Sequence, residues 1–258
     1  MNLTTMKVKK EKIIVFLMFI AVTLTAVAQE NEHIDPSKPT NIYTRLNNNF
    51  EMTDLKDGTQ LTGYRFNVSY ALKDFQTTIE IPMLYNHKTQ KAGLGDLRIR
   101  SFYVPYVDYD KTFGGLGLAL DVFAPMGNPK DGISSGLWSI SPGIIAGFMV
   151  SEKYSIWPVV SYRYQFGERW VEGQQQSVTQ HGATLQVMNT INLSDKVYLI
   201  ITPMYIQNNF ANMGQFDYGG EIEFNYMLIE NKLQVGCFSR QLVNSQLESY
   251  RLMVRIFL

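Results

Sequence analysis

The last eleven residues, "ESYRLMVRIFL", alternate so strictly that an extended strand is the only regular structure that suits them. Successive side chains of a strand point to opposite faces. Tyr250, Leu252, Val254, Ile256 and Leu258 therefore share one wholly apolar face, while Arg251 and Arg255 lie on the other. Such a strand needs an apolar medium on one side and something wet or charged on the other. The pattern recurs along the chain. "YRFNVSYAL" sets Tyr64, Phe66, Val68, Tyr70 and Leu72 against Arg65, Asn67 and Ser69, and "FQTTIEIPMLY" sets Phe75, Ile79, Ile81, Met83 and Tyr85 against Gln76, Thr78 and Glu80. "LGLALDV" and "YGGEIEFNYML" repeat it around Asp121 and around Glu221 and Glu223.

The connections alternate as well. Short polar turns at Lys73-Asp74, 108–111, 151–153, 194–196 and 230–232 take turns with longer segments near 53–59, 86–94, 125–136, 167–181, 209–216 and 242–247. Five turns and six loops separate twelve strands. An even count with short connections at one end and long ones at the other is the plan of a closed antiparallel outer-membrane β-barrel, with periplasmic turns and extracellular loops. Many segments run to about 10 residues or more, the length a tilted strand needs to cross the hydrocarbon, whereas soluble strands average about 5 or 6. Aromatics at segment ends, Tyr64, Tyr85, Trp138, Tyr154, Phe166, Tyr218, Tyr226 and Tyr250, suit interfacial girdles. Closure also removes the exposed edges that long strands would leave in an open sheet.

The N-terminus fits that destination. Lys7, Lys9, Lys10 and Lys12 precede the apolar run "IIVFLMFIAVTLTAVA", which ends in a small-x-small site at Ala26-Val27-Ala28. Residues 1–28 read as a cleaved signal peptide, 29–39 as a polar, proline-containing periplasmic lead-in, and 40–258 as the barrel. An uncleaved N-terminal anchor is the alternative. Cleavage leaves 19 basic and 22 acidic residues (23 − 4 and 23 − 1), with no basic footprint for nucleic acid. The single cysteine, Cys237, excludes an internal disulfide and suits a buried or lipid-facing position. The expected surroundings are outer-membrane lipid, the barrel-assembly machinery and a small solute, for a monomer without a cofactor in a Gram-negative outer membrane. The last strand also resembles the C-terminal assembly signal of outer-membrane proteins, with Leu258 where such signals usually carry Phe.

Parity also assigns an interior. Arg65, Arg98, Arg100, Arg163, Arg240, Arg251 and Arg255 would face inward, with Glu80, Asp96, Asp121, Glu221 and Glu223 as partners. Charge on a lipid face is costly, so inward placement follows from membrane physics alone. Two readings stay open: a structural salt-bridge network filling a narrow barrel, and a charged constriction that selects solutes by sign and size. Phe123, Met149, Trp157, Val159 and Phe238 on the same parity suit either internal packing or an apolar track. In "DLRIRSFYVPYV" a bulge is expected to break the alternation after Arg100. An enzyme would need more. A barrel lipase requires a serine with a base beside it, and none of His33, His87 and His181 has a convincing nucleophile at close spacing; Ser177, four residues before His181, lies in the polar stretch "EGQQQSVTQHG" and reads as solvated loop.

"GLGDLRIRSFYVPY" (93–106), "GLGLALDVFAPMGNP" (115–129) and "GLWSISPGIIAGF" (136–148) together resemble the motif series of the MetA-pathway-of-phenol-degradation family of outer-membrane proteins. The residues that carry this are Gly93, Gly95 and Asp96, then Pro125 and Gly127, then Gly136 and Trp138. The resemblance implies a barrel associated with passage of small, aromatic or hydrophobic compounds, and brings no catalytic residues. The expectation is a channel or transporter, not an enzyme; a closed structural or surface-binding barrel is the alternative, and a lipid hydrolase a more remote one.

Overall fold

The computed structural model of the protein describes residues 34–171 and 173–258. The signal segment and His33 lie outside the described residues. In chain order the strands are β1 (Arg45–Asp54), β2 (Gln60–Leu72), β3 (Phe75–Asn86), a short β4 (Lys91–Leu94), β5 (Leu97–Val107), β6 (Phe113–Ala124), β7 (Leu137–Ser151), β8 (Tyr154–Val171), β9 (Gln174–Ser194), β10 (Val197–Gln207), β11 (Phe216–Ile229), β12 (Leu233–Leu242) and β13 (Leu247–Phe257). β4 pairs with the outer end of β3 alone, and the other twelve form one antiparallel ring. The ring shuts where β13 meets β1, in register from Arg45 opposite Phe257 to Asp54 opposite Glu248. That seam explains the terminal alternation: the last strand is an ordinary stave, and its pairing with β1 removes both sheet edges.

The two faces differ as the period of two requires. Outside, Leu252 is 66% and Phe50 64% exposed, and Ile79, Leu118, Ile144, Val160, Leu185, Ile222 and Val254 are exposed with them. An apolar surface that encircles the molecule is the outer face of a barrel seated in a bilayer. Cys237 is exposed on this face, paired between Phe224 and Leu252. Inside, Asn47, Asn49, Asn67, Ser69, Gln76, Glu80, Thr202, Asn225, Gln234 and Ser249 are buried.

One element differs from the sequence reading. The stretch 167–181 is no long loop: β8 and β9 continue as a tall hairpin, paired from Gly167 opposite Val178 to Val171 opposite Gln174. Its polar side chains hide the strand signal, because above the membrane neither face needs to be apolar. The bulge expected in β5 is present, a little beyond Arg100: the alternation continues to Val104, which is buried while Ile99 and Tyr103 are exposed, and the register with β6 slips between Tyr103 and Tyr106, which puts Tyr106 opposite Leu116 and against the Phe113 ring.

Candidate functional site in the barrel lumen

The interior divides into an aromatic wall and a charged wall. On the first, Trp157 of β8 is fully buried, its indole nitrogen donating to Ser155 Oγ at 2.8 Å. A Cβ on Gly147 would lie 2.1 Å from the Trp157 ring, so only glycine admits the indole there. Ile145 and Val104 are buried on the same parity. Among the apolar interior candidates, Trp157 thus fills space, Phe123 lies under the Arg98 guanidinium at 4.9 Å, and Phe238 lies under that of Arg251 at 4.9 Å.

The charged wall runs across β11, β12, β13, β1, β2, β3, β5 and β6. Arg65 holds two carboxylates, donating to both Glu51 oxygens at 2.8 Å and to Glu80. Arg98 binds Asp121 through Nε at 2.8 Å and Nη2 at 2.5 Å. Arg240 pairs with Glu221 through Nε at 2.6 Å, and Arg255 with Glu223 at 2.9 Å. Arg163 donates to Asn208 Oδ1 at 3.0 Å, toward the outer end. Between the two arcs of this wall lies a cavity of about 210 Å³, lined by Arg45, Arg98, Arg100, Arg240, Arg251 and Arg255, by Glu80, Glu221 and Glu223, and by Asn47, Asn49, Asn67, Gln76, Thr78, Phe102, Phe238 and Met253.

Asp96 sits elsewhere. Its carboxylate accepts from Ser134 Oγ, and from Ser135 N at 2.9 Å and Oγ at 2.7 Å, which ties the 125–136 loop to the outer rim. It is absent from the cavity lining. The other motif residues gather around the same loop. Gly136 has φ of +72° and a Cβ there would lie 2.1 Å from the Glu168 carbonyl; Gly127 lies equally tightly over the Leu94 carbonyl. Pro125, Gly127, Gly136 and Trp138 line an outer cleft with Lys130 over the Trp170 ring at 4.5 Å. Gly93 lies against Ile133, and Gly95 donates its amide to the Pro82 carbonyl. These motifs shape the outer mouth.

The first strand is where the sequence places it, near "NIYTRLNNNFEM", but its inward side chains were missed: Arg45, Asn47, Asn49 and Glu51 all point into the lumen. The signal was present as polar residues at every second position of "RLNNNFE". The intervening Leu46, Asn48 and Phe50 do not form a clean apolar face, which masked it. The two described histidines lie toward the outer end: His87 pairs with Thr62 Oγ1 at 2.9 Å and His181 with the Tyr162 hydroxyl. Ser177 and His181 are on one strand and four residues apart, about 13 Å, beyond the reach of proton transfer.

The inner mouth is crossed by residues 34–44. The Ile34 amide donates to Asn231 Oδ1 at 2.9 Å, in the β11–β12 turn. Seven residues on, the Tyr109 hydroxyl of the β5–β6 turn donates to Asn41 Oδ1 at 2.5 Å and meets Thr40 Oγ1 at 3.0 Å. Six ring strands separate those turns either way round, so the segment spans the mouth. Lys38 sits over the Tyr109 ring at 4.5 Å, and the Gln76 side chain donates to the Tyr43 carbonyl at 2.8 Å. Burial pushes the Tyr109 phenol up to about 12, so it remains a donor across the physiological range. Burial alone would raise the Asp35 carboxyl, but hydrogen bonds from Ser37 and Lys38 hold it below the ordinary aspartate value.

No family model and no curated protein matches the sequence. Solved structures do match the fold. The COG4313 outer membrane channel from Pseudomonas putida F1 is similar with a TM-score of 0.62 and 11% identity, over 90% of this chain and 100% of that one. The KdgM porin in complex with disordered oligogalacturonate gives 0.55 and 12%, over 82% and 98%. The translocator domain of the autotransporter NalP from Neisseria meningitidis gives 0.52 and 10%, over 95% and 97%. At such identities the likeness establishes an outer-membrane β-barrel fold, and this fold serves more than one task.

Proposed function

We propose that the protein is a channel for small solutes in the outer membrane of a Gram-negative bacterium, with a preference for anions. One observation carries this: among the described residues the inward face holds eight arginines, Arg45, Arg65, Arg98, Arg100, Arg163, Arg240, Arg251 and Arg255, against six carboxylates, Glu51, Glu80, Asp121, Asp217, Glu221 and Glu223. A purely structural network tends toward neutrality, because each unpaired buried charge is costly. An excess of one sign around a water-sized path selects permeating ions by charge. In this reading the chain is exported by a signal cleaved after Ala28, leaving 29–39 as a periplasmic lead-in before the barrel. It is assembled through the strand ending in Tyr250, Leu252, Val254, Ile256 and Leu258, works as a monomer and catalyses no reaction. The motif resemblance to the MetA-pathway-of-phenol-degradation family supports a transport role.

The test is the reversal potential of the refolded mature protein in a planar bilayer under a salt gradient. The reading expects chloride to carry most of the current, and less so after Arg100→Gln. Cation-selective current would refute the preference. A second reading, a barrel closed at rest, is favoured by the segment across the inner mouth; it predicts a folded, inserted and silent protein.

A further inference from the structure

The channel reading leaves Pro125, Gly127, Gly136 and Trp138 without a task. None of them lines the arginine cavity, and all four line a separate cleft of about 440 Å³ at the outer rim. Its walls are the 125–136 loop and the start of the β8–β9 hairpin. At Gly167, opposite Leu137, β8 makes its last rung with β7, and from Glu168 onward it pairs with β9 alone. The hairpin therefore rises free beside the loop, tied to it by the Glu168 amide, which donates to the Gly136 carbonyl at 3.3 Å.

Two indoles face this cleft. Trp138 is directly opposite Phe166 and stacks on it, the ring planes 8° apart and the centroids 6.3 Å apart, yet it is 42% exposed. Trp170 follows Phe166 by four residues on the same face of β8, about 13 Å along the strand, and Lys130 Nζ sits 4.5 Å from its ring centroid. Each indole is thus braced by a neighbour while it lines the cleft. Between them on that face lies Glu168, whose carboxylate accepts from Gln175 Nε2 through one oxygen. Gln175 is itself opposite Trp170. The second Glu168 oxygen and the Gln175 side-chain carbonyl meet no donor among the described residues.

We propose that this cleft binds a short oligosaccharide, whose pyranose rings lay their C–H faces on Trp138 and Trp170 and turn their hydroxyls to Lys130, Glu168 and Gln175. A pyranose is apolar across its face and polar around its edge, so it calls for flat apolar rings with fixed donors and acceptors beside them. A wholly apolar ligand would strip water from Glu168 and Gln175 and offer them nothing in return. An inorganic anion would gain nothing from the indoles and would meet the Glu168 charge. A single sugar ring is too short to touch both indoles, whereas a chain of a few rings reaches from one to the other, and the volume falls within the range of about 300 to 1,000 Å³ usual for small-molecule sites. The saccharide comes either from the medium or from a glycolipid of the outer leaflet. The site goes beyond the channel reading and stands whether or not the lumen conducts.

The test is tryptophan emission from the full barrel, folded in a detergent without a sugar headgroup and titrated with maltotriose, cellotriose and chitotriose and, separately, with lipopolysaccharide. The chain has three tryptophans, two of them in the cleft, so a sugar stacked on an indole is read directly. The expected result is a saturable change that weakens about tenfold or more in Trp170→Ala and is unchanged in Lys153→Gln on an inner turn. Saturation by a trisaccharide assigns the site to a soluble sugar, and saturation by lipopolysaccharide alone assigns it to the sugar of the outer leaflet. Two comparisons use the unaltered protein, so a variant that fails to fold does not blunt them: sorbitol, which has the hydroxyls without the ring, should produce no saturable change, and glucose should bind about tenfold more weakly than the trisaccharide. Silence toward every sugar and toward lipopolysaccharide overturns the site. Equal binding of sorbitol overturns the stacking, equal binding of glucose overturns the span between the indoles, and undiminished binding by folded Trp170→Ala overturns the placement in this cleft.

Discussion

At the scale of single residues, the lumen separates charges that hold the barrel from charges that it tolerates. Arg65 is the first kind. Its partners Glu51 and Glu80 have side chains only 3% and 8% exposed, so Arg65→Gln would strand two buried carboxylates. We expect it to cost about 3 kcal/mol in urea unfolding from lipid vesicles. Arg100→Gln removes a charge whose one contact is borrowed, and should change stability by no more than about 0.5 kcal/mol. Equal losses would show that Arg100 is as fully paired as Arg65. Parity alone put Arg65 and Arg100 on the same inner face but could not rank them, since pairing depends on which strand lies alongside and in what register. Asp96 marks the limit of parity. It stands just before β5, outside the ladder, where strand alternation no longer dictates direction and the hydroxyls of Ser134 and Ser135 do.

At the scale of elements, the bilayer makes some strands legible and leaves others obscure. β13 is readable because one of its faces must be apolar over the whole hydrocarbon. Val254, exposed on that face opposite Val235, should therefore resist charge: Val254→Arg is expected to lower stability by about 2 kcal/mol or more in vesicles, and a loss within error would place this face away from lipid. The upper parts of β8 and β9 are obscure for the complementary reason. "GERWVEGQQQSVTQH" has water on both faces, so nothing enforces a period of two, and the sequence reads as a loop although the ladder continues through it. The barrel does not depend on that extension. Replacing 170–178 with a tight turn should leave the folded band in heat-modifiability gels intact, because the rungs below Gly167 still join β8 to β7 and β9. Loss of that band would mean the hairpin nucleates the β8–β9 pairing.

At the scale of the whole molecule the question is whether the cavity communicates with both sides of the membrane, and the answer turns on residues 34–44. That a polar, proline-containing lead-in would be fastened at opposite points of the ring was not legible in the chain, because each fastening joins residues far apart: Ile34 to Asn231, and Thr40 and Asn41 to Tyr109. The span rests on a few hydrogen bonds. Single hydrogen bonds contribute about 1 kcal/mol net, so the strap is held far more weakly than the ring beneath it. Removing 34–41 should accordingly leave the barrel folded and raise single-channel conductance, most visibly if the intact protein is silent. Acidification should act in the same direction. The Asp35 carboxyl is held below the ordinary aspartate value by Ser37 and Lys38, so its contribution is fully present above the ordinary value and fades as pH falls through the lowered one. Asp35→Asn, which cannot accept from Lys38 as a carboxylate does, should open the barrel at neutral pH and abolish the acid response. Identical conductance in the intact, truncated and Asp35→Asn proteins would mean that solutes pass beside the strap, and that the inner mouth is set by Trp157 and its neighbours instead.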